Sequence, residues 1–217
     1  MDDTNTASGD RATVGGGQNN TASTGTHATV SGGLTNTASG GASTVGGGDA
    51  NTASGGRSTV GGGEGNTASG NRATIGGGKD NTSSGTRATV SGGDNNTASN
   101  FYPAVGGGKN NTASGQYSTV SGGFRAIASR YGQFGQASGR FISDGDAQFS
   151  RYVLRTATTD ATANVELFLD GTGGSNRITI PEGTAYQFRQ ETIQRWQLHL
   201  WLLFLVHTLK IVHRHLK

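Results

Sequence analysis

Asn66-Thr67-Ala68-Ser69-Gly70-Asn71-Arg72-Ala73-Thr74-Ile75-Gly76-Gly77 is the stretch on which the fold turns, because close copies of it fill residues 1–123. The unit is A-S-G-x-x-[AS]-T-V-[GS]-G-G-x-x-N-T, and self-similarity at a fixed short period marks a stacked array. Its apolar marker falls at Val14, Val30, Val45, Val60, Ile75, Val90, Val105 and Val120, every 15 residues except for one step of 16 near Thr24. Ala12-Thr13-Val14 and Asn20-Thr21-Ala22 alternate small or apolar with polar residues, the period-2 pattern of a strand with one buried face. Gly15-Gly16-Gly17 and Ser23-Thr24-Gly25 separate them, and both are expected to turn the chain through glycines at positive φ. Each unit therefore reads as one coil. Eight coils stacked strand on strand make a rod roughly 40 Å long.

Columns along that rod separate inside from outside. The interior candidates are Ala12, Ala28, Ser43, Ser58, Ala73 and Ala88, the valine column, and Ala22, Ala38, Ala53, Ala68, Ser83, Ala98 and Ala113. These side chains bury little apolar area for each coil ordered, so a lone rod is expected to be marginal and to associate with other copies. Asn20, Asn36, Asn51, Asn66, Asn81, Asn96 and Asn111, with Asn5 before them, share the inward phase. They are expected to stack as a structural ladder, amide to amide or amide to turn carbonyl. The N-x-T sequons at Asn19, Asn81, Asn95 and Asn110 follow from the same lattice and read as incidental.

Composition agrees with an array and excludes other classes. With 39 Gly and only 31% hydrophobic residues among 217, an ordinary globular core is not expected, and 2 Pro with no G-x-y period exclude collagen. Lys plus Arg at 17 against Asp plus Glu at 14 gives +3, a balance that asks for neither nucleic acid nor membrane insertion. Without Cys there is no disulfide scaffold, thiol chemistry or cysteine zinc site. The start Met1-Asp2-Asp3-Thr4 has no secretory pattern, which suggests a fragment or a part assembled without conventional export.

The pattern N-x-A-x-G-x-x-A-x-V-x-G, seen in residues 66–77, resembles the haemagglutinin-type (Hep/Hag) head repeats of trimeric autotransporter adhesins, and similar repeats occur in phage tail-fibre proteins. The resemblance covers residues 4 to about 123. It implies an all-β left-handed parallel β-roll, three chains packed side by side as a homotrimer, and a role in attachment. The glycine triplets and the threonine-rich outward positions depart from the family pattern.

Three outward features are candidates for contact with a ligand. Threonines form two columns, Thr13 to Thr119 and Thr6 to Thr112, whose regular spacing resembles that of ice-binding solenoids, although threonine also simply suits a strand. One turn carries Arg57, Arg72 and Arg87 one coil apart, a possible strip for anionic glycans or else a solvated face. Asn100-Phe101-Tyr102-Pro103-Ala104 breaks the repeat with two aromatics, followed by Tyr117. These suit either sugar faces or packing against a neighbouring chain or domain.

Residues 124–150 read as degenerate repeats that cap the array. Residues 151–189 read as a small β segment, where Thr158-Thr159-Asp160-Ala161-Thr162 and Leu167-Phe168-Leu169-Asp170-Gly171 resemble a segment of phage tail and fibre proteins. Residues 190–217 are an anomalous apolar and basic tail, either a helix or the product of a changed coding frame. His207, His213 and His215 there lack the companion ligands that a metal site needs. No catalytic motif is present, and Asp144 and Asp146 read as a turn. The expectation is a non-enzymatic protein without cofactor or metal, a phage tail fibre or adhesin on a virion or cell surface that meets host glycans. A self-assembling filament and an ice-binding solenoid are the rival readings.

Overall fold

A computed structural model describes residues 4–24, 26–140 and 142–153. The segment expectations for 154–189 and for the 190–217 tail lie outside the described residues. Within them the chain is all-β, with no helix, and forms a β-solenoid of about nine turns. Each coil contributes one short strand to each of two sheets, two residues long in every coil up to Thr112–Ala113. Strands from Thr6–Ala7 to Ile127–Ala128 build a nine-stranded sheet, and strands from Thr13–Val14 to Gln148–Arg151 build a ten-stranded one.

Pairing is parallel and in phase, residue on equivalent residue: Thr67 on Thr82 and Ala68 on Ser83 in one sheet, Thr74 on Thr89 and Ile75 on Val90 in the other. Because the side-chain period is 2, this register turns the Val of one sheet and the Ala that follows each Thr in the other inward together. Val30, Val45, Val60, Ile75, Val90 and Val120 are fully buried against Ala22, Ala38, Ala53, Ala68, Ala98 and Ala113, and Val105 is 1% exposed. Val14, in the first coil, is only partly buried. The 16-residue coil keeps its register on both sides, Thr13 on Thr29 and Thr21 on Thr37. Its additional residue is absorbed in the turn at Thr24, whose hydroxyl donates to the Ser39 carbonyl at 2.8 Å.

The array is one coil longer than the marker residues indicate. Ile127–Ala128 continues the first sheet, and Phe134–Ala137 continues the second, pairing parallel with Thr119–Gly123. Gly135 takes the valine position opposite Val120, so the marker disappears while the ladder goes on. The chain then reverses, and Gln148–Arg151 pairs antiparallel with Phe134–Ala137.

The turns correct one expectation. At the glycine triplet the third glycine does take positive φ, 82° at Gly17 and 88° at Gly78. At the other turn positive φ falls instead on Arg57, Arg72, Arg87, Tyr102 and Tyr117, between 56° and 58°. The glycines there, Gly40, Gly55, Gly70, Gly85 and Gly115, are required by crowding: a Cβ on any of them would overlap the backbone carbonyl of the next coil. Asn100 replaces glycine in this column, at φ 92°, where Pro103 stands, and Arg130 replaces it in the last coil. Elsewhere the residue at the Pro103 position donates its N–H to that column's carbonyl, as Ala88 does to Gly85 and Ser118 to Gly115. Proline has no N–H to donate, so the turn that demanded glycine is released at the same coil.

Candidate functional site: the arginine and tyrosine edge

The inward asparagines carry structure. Asn20, Asn36, Asn51, Asn66, Asn81, Asn96 and Asn111 are fully buried. In the middle of the array Asn66 Nδ2 donates to the carbonyls of Gly62 at 3.0 Å and Gly78 at 2.9 Å, while its Oδ1 accepts the N–H of Asn81 at 3.0 Å. The amide thus ties its own coil to the next, and a third contact at 3.0 Å to Asn51 Oδ1 reaches the coil before. Three buried hydroxyls, Ser43, Ser58 and Ser118 Oγ, have no hydrogen-bond partner.

The threonine columns lie one to each sheet. Thr59, Thr74 and Thr89 are exposed, whereas Thr52, Thr67 and Thr82 are half-buried. Within residues 4–123 charge lies on the two turn edges. On the glycine-triplet edge Asp49, Glu64, Lys79, Asp94 and Lys109 stack in one column. Lys79 Nζ meets Glu64 at 2.9 Å and Lys109 Nζ meets Asp94 at 2.7 Å, so this edge largely neutralises itself. The hydrogen bond and charge of Glu64 hold the Lys79 ammonium above the ordinary lysine pKa.

On the opposite edge Arg57, Arg72 and Arg87 are exposed, and among the described residues none has an ion-pair partner. Each is fixed at its base by a backbone bond to the preceding coil: Arg57 N–H donates to the Gly41 carbonyl, Arg72 to Gly56 and Arg87 to Asn71. Tyr102 and Tyr117 continue the column. The Arg87 guanidinium lies 5.0 Å from the Tyr102 ring centre, Tyr102 stacks on Tyr117 at 5.1 Å, and Tyr117 meets Tyr131 edge-on at 5.5 Å. The faces of Tyr102 are thereby occupied by Arg87 and Tyr117, which leaves its rim to the surface. Phe101, beside it, is 52% exposed and has no ring partner among the described residues. Next to Arg57 the edge dips into an open, shallow depression where Gly41, Ala42 and Gly56 supply almost no side chain.

Other elements are structural. Asp144 accepts from Arg125 at 3.0 Å and Arg140 at 3.2 Å, and Asp146 accepts the N–H groups of Ile142 and Ser143 at 2.7 Å, so both carboxylates hold the closing turn. Sequence reasoning missed the side chain that ends the first sheet. Ile127 N–H donates to Gln148 Oε1 at 2.7 Å, and Gln148 Nε2 donates back to the Ile127 carbonyl at 2.7 Å. One glutamine amide thus stands where the peptide of a further coil would be. The two residues are 21 positions apart and share no repeat phase, so no local signal announces the pair.

Among the described residues no group of three or more His, Cys, Asp or Glu side chains could hold a metal, and no helix is long and apolar enough to cross a membrane. The histidine cluster of the tail lies outside them. No protein-family model and no curated protein matches the chain.

Proposed function

We propose that the chain is the β-roll shaft or head of a fibrous attachment protein, a phage tail fibre or adhesin, working as a side-by-side homotrimer that presents one repetitive edge to host-surface glycans. The carrying observation is the register of the exposed side chains: Arg57, Arg72, Arg87, Tyr102 and Tyr117 stand one per coil on a single edge, each anchored by its backbone to the coil before it. Weak contacts repeated on a stiff support add up through avidity, and three copies multiply them again. Assembly is favoured by the small core and by two sheet faces that between residues 4 and 123 are built of uncharged Thr, Ser, Ala and Gly, since covering such a face desolvates no ion. The left-handed sense of the coil and the virion or cell-surface location come with the resemblance to head repeats. The reading requires neither a cofactor nor catalysis.

The test is the solution mass of the full chain by size-exclusion chromatography with light scattering, followed by adsorption to bacterial or host cells. A trimer that adsorbs supports the proposal, and a folded monomer sinks the side-by-side assembly. A second reading, an ice-binding surface, draws on exposed Thr59, Thr74 and Thr89, and thermal hysteresis of the same sample would reveal it. An end-to-end filament is disfavoured, because Gln148 and the antiparallel Gln148–Arg151 strand occupy the edges on which a further coil would add.

A further inference from the structure

We infer that the edge from Arg57 to Tyr102, with Phe101 beside it, is a binding site for a linear acidic polysaccharide laid along the solenoid axis; the inference rests on the attachment reading above and names its ligand class. The first argument is the backbone. Arg57, Arg72, Arg87, Tyr102 and Tyr117 all sit at φ near +57°, a conformation that long side chains adopt only against steric resistance. At the opposite turn the same geometry falls mostly on residues that take it readily, Asn19, Gly65, Asp80, Asn95 and Asn110, although Thr35, Ala50 and Arg125 share it. A chain with 39 glycines has the cheaper residue to hand, so arginine and tyrosine at five successive strained positions point to a use for their side chains.

The second argument is charge. Three arginines one coil apart, about 4.8 Å, repel one another and have no carboxylate partner, whereas Glu64 and Asp94 of the other edge are each engaged with a lysine. A ligand with one carboxylate or sulfate per sugar meets this spacing with roughly one charge per coil, and guanidinium groups bind such oxyanions through paired N–H donors. The third argument is the aromatic end. The Arg87, Tyr102 and Tyr117 stack holds the strip rigid, and the free ring of Phe101 offers a sugar the apolar face that a purely ionic site lacks. A single-file line of charges beside an open depression suits a thin, extended chain. Polynucleotides are the competing polyanion.

The experiment titrates the full-length protein with size-graded oligogalacturonates by calorimetry. The inference expects affinity to rise with length and level off near roughly four sugars, the span of the strip at one sugar per coil. It expects at least a tenfold loss in the triple variant Arg57→Gln, Arg72→Gln, Arg87→Gln, partial recovery when the three are Lys, and a several-fold loss for Phe101→Ala. Lys79→Gln with Lys109→Gln, on the other edge, should leave binding unchanged. Arg72→Gly suits the left-handed backbone and tests the central charge if the triple variant folds poorly. No binding, an equal loss from the lysine pair, or tighter binding of oligothymidylate of equal charge overturns the inference. A trimer that adsorbs to cells yet ignores oligogalacturonate overturns this site and leaves the attachment reading standing. A monomer that binds through the arginines keeps the site and removes the trimer.

Discussion

Asn66 and Ser58 are both buried and polar, yet they are expected to respond to alanine in opposite directions. Asn66→Ala leaves the carbonyls of Gly62 and Gly78 and the N–H of Asn81 without the amide they use, a loss of roughly 3 to 5 kcal/mol. In a solenoid each coil is stabilised by its neighbours, so the loss should first show as fast amide exchange around residues 62–81. Ser58→Ala removes a hydroxyl that has no partner, at a position where coils with Ala73 and Ala88 already accept a methyl group. It should raise stability by about 1 kcal/mol, read as a higher melting temperature. The asparagine phase is legible from sequence because the i, i+2 pattern that buries Ala68 also turns Asn66 inward. The three unsatisfied serines are not, since Ser83 in the other inward column does find a carbonyl, that of Ala88 at 3.0 Å.

Strands and turns differ in how far their sequence discloses them. The two strands of each coil follow from alternation alone, because a shift of one residue would expose every valine. The arginine turn is opaque for a steric reason: a glycine in the repeat suggests positive φ, but Gly70 is needed for its missing Cβ, and the left-handed residue is Arg72 two positions later. The closing hairpin is opaque because it depends on a contact between distant positions. Gln148→Ala should unseal the first sheet, raising exchange at the Ile127 amide about tenfold or more while the central coils keep their protection. The freed edge should also promote association through strand addition, visible as concentration-dependent mass in light scattering. A variant that exchanges no faster would show that the Gln148 amide does not seal this edge.

At the scale of the molecule, exposed variation and buried support are divided between different columns of one repeat. Inward columns repeat almost without change, because each coil is the template for the next, whereas the arginine and tyrosine column varies from His27 through Ala42 to Tyr117 along the same edge. The sixteen-residue coil extends this division into heredity. Thr24 adds length at that edge while the ladders on both sides stay in phase, so small insertions in the gene can remodel the contact surface without reaching the scaffold. Duplication or loss of whole units would instead change the length of the solenoid and leave its chemistry alone. Two kinds of mutational event thus act on two separate traits, and a lineage carrying this repeat can alter what it touches and how far it extends independently of each other.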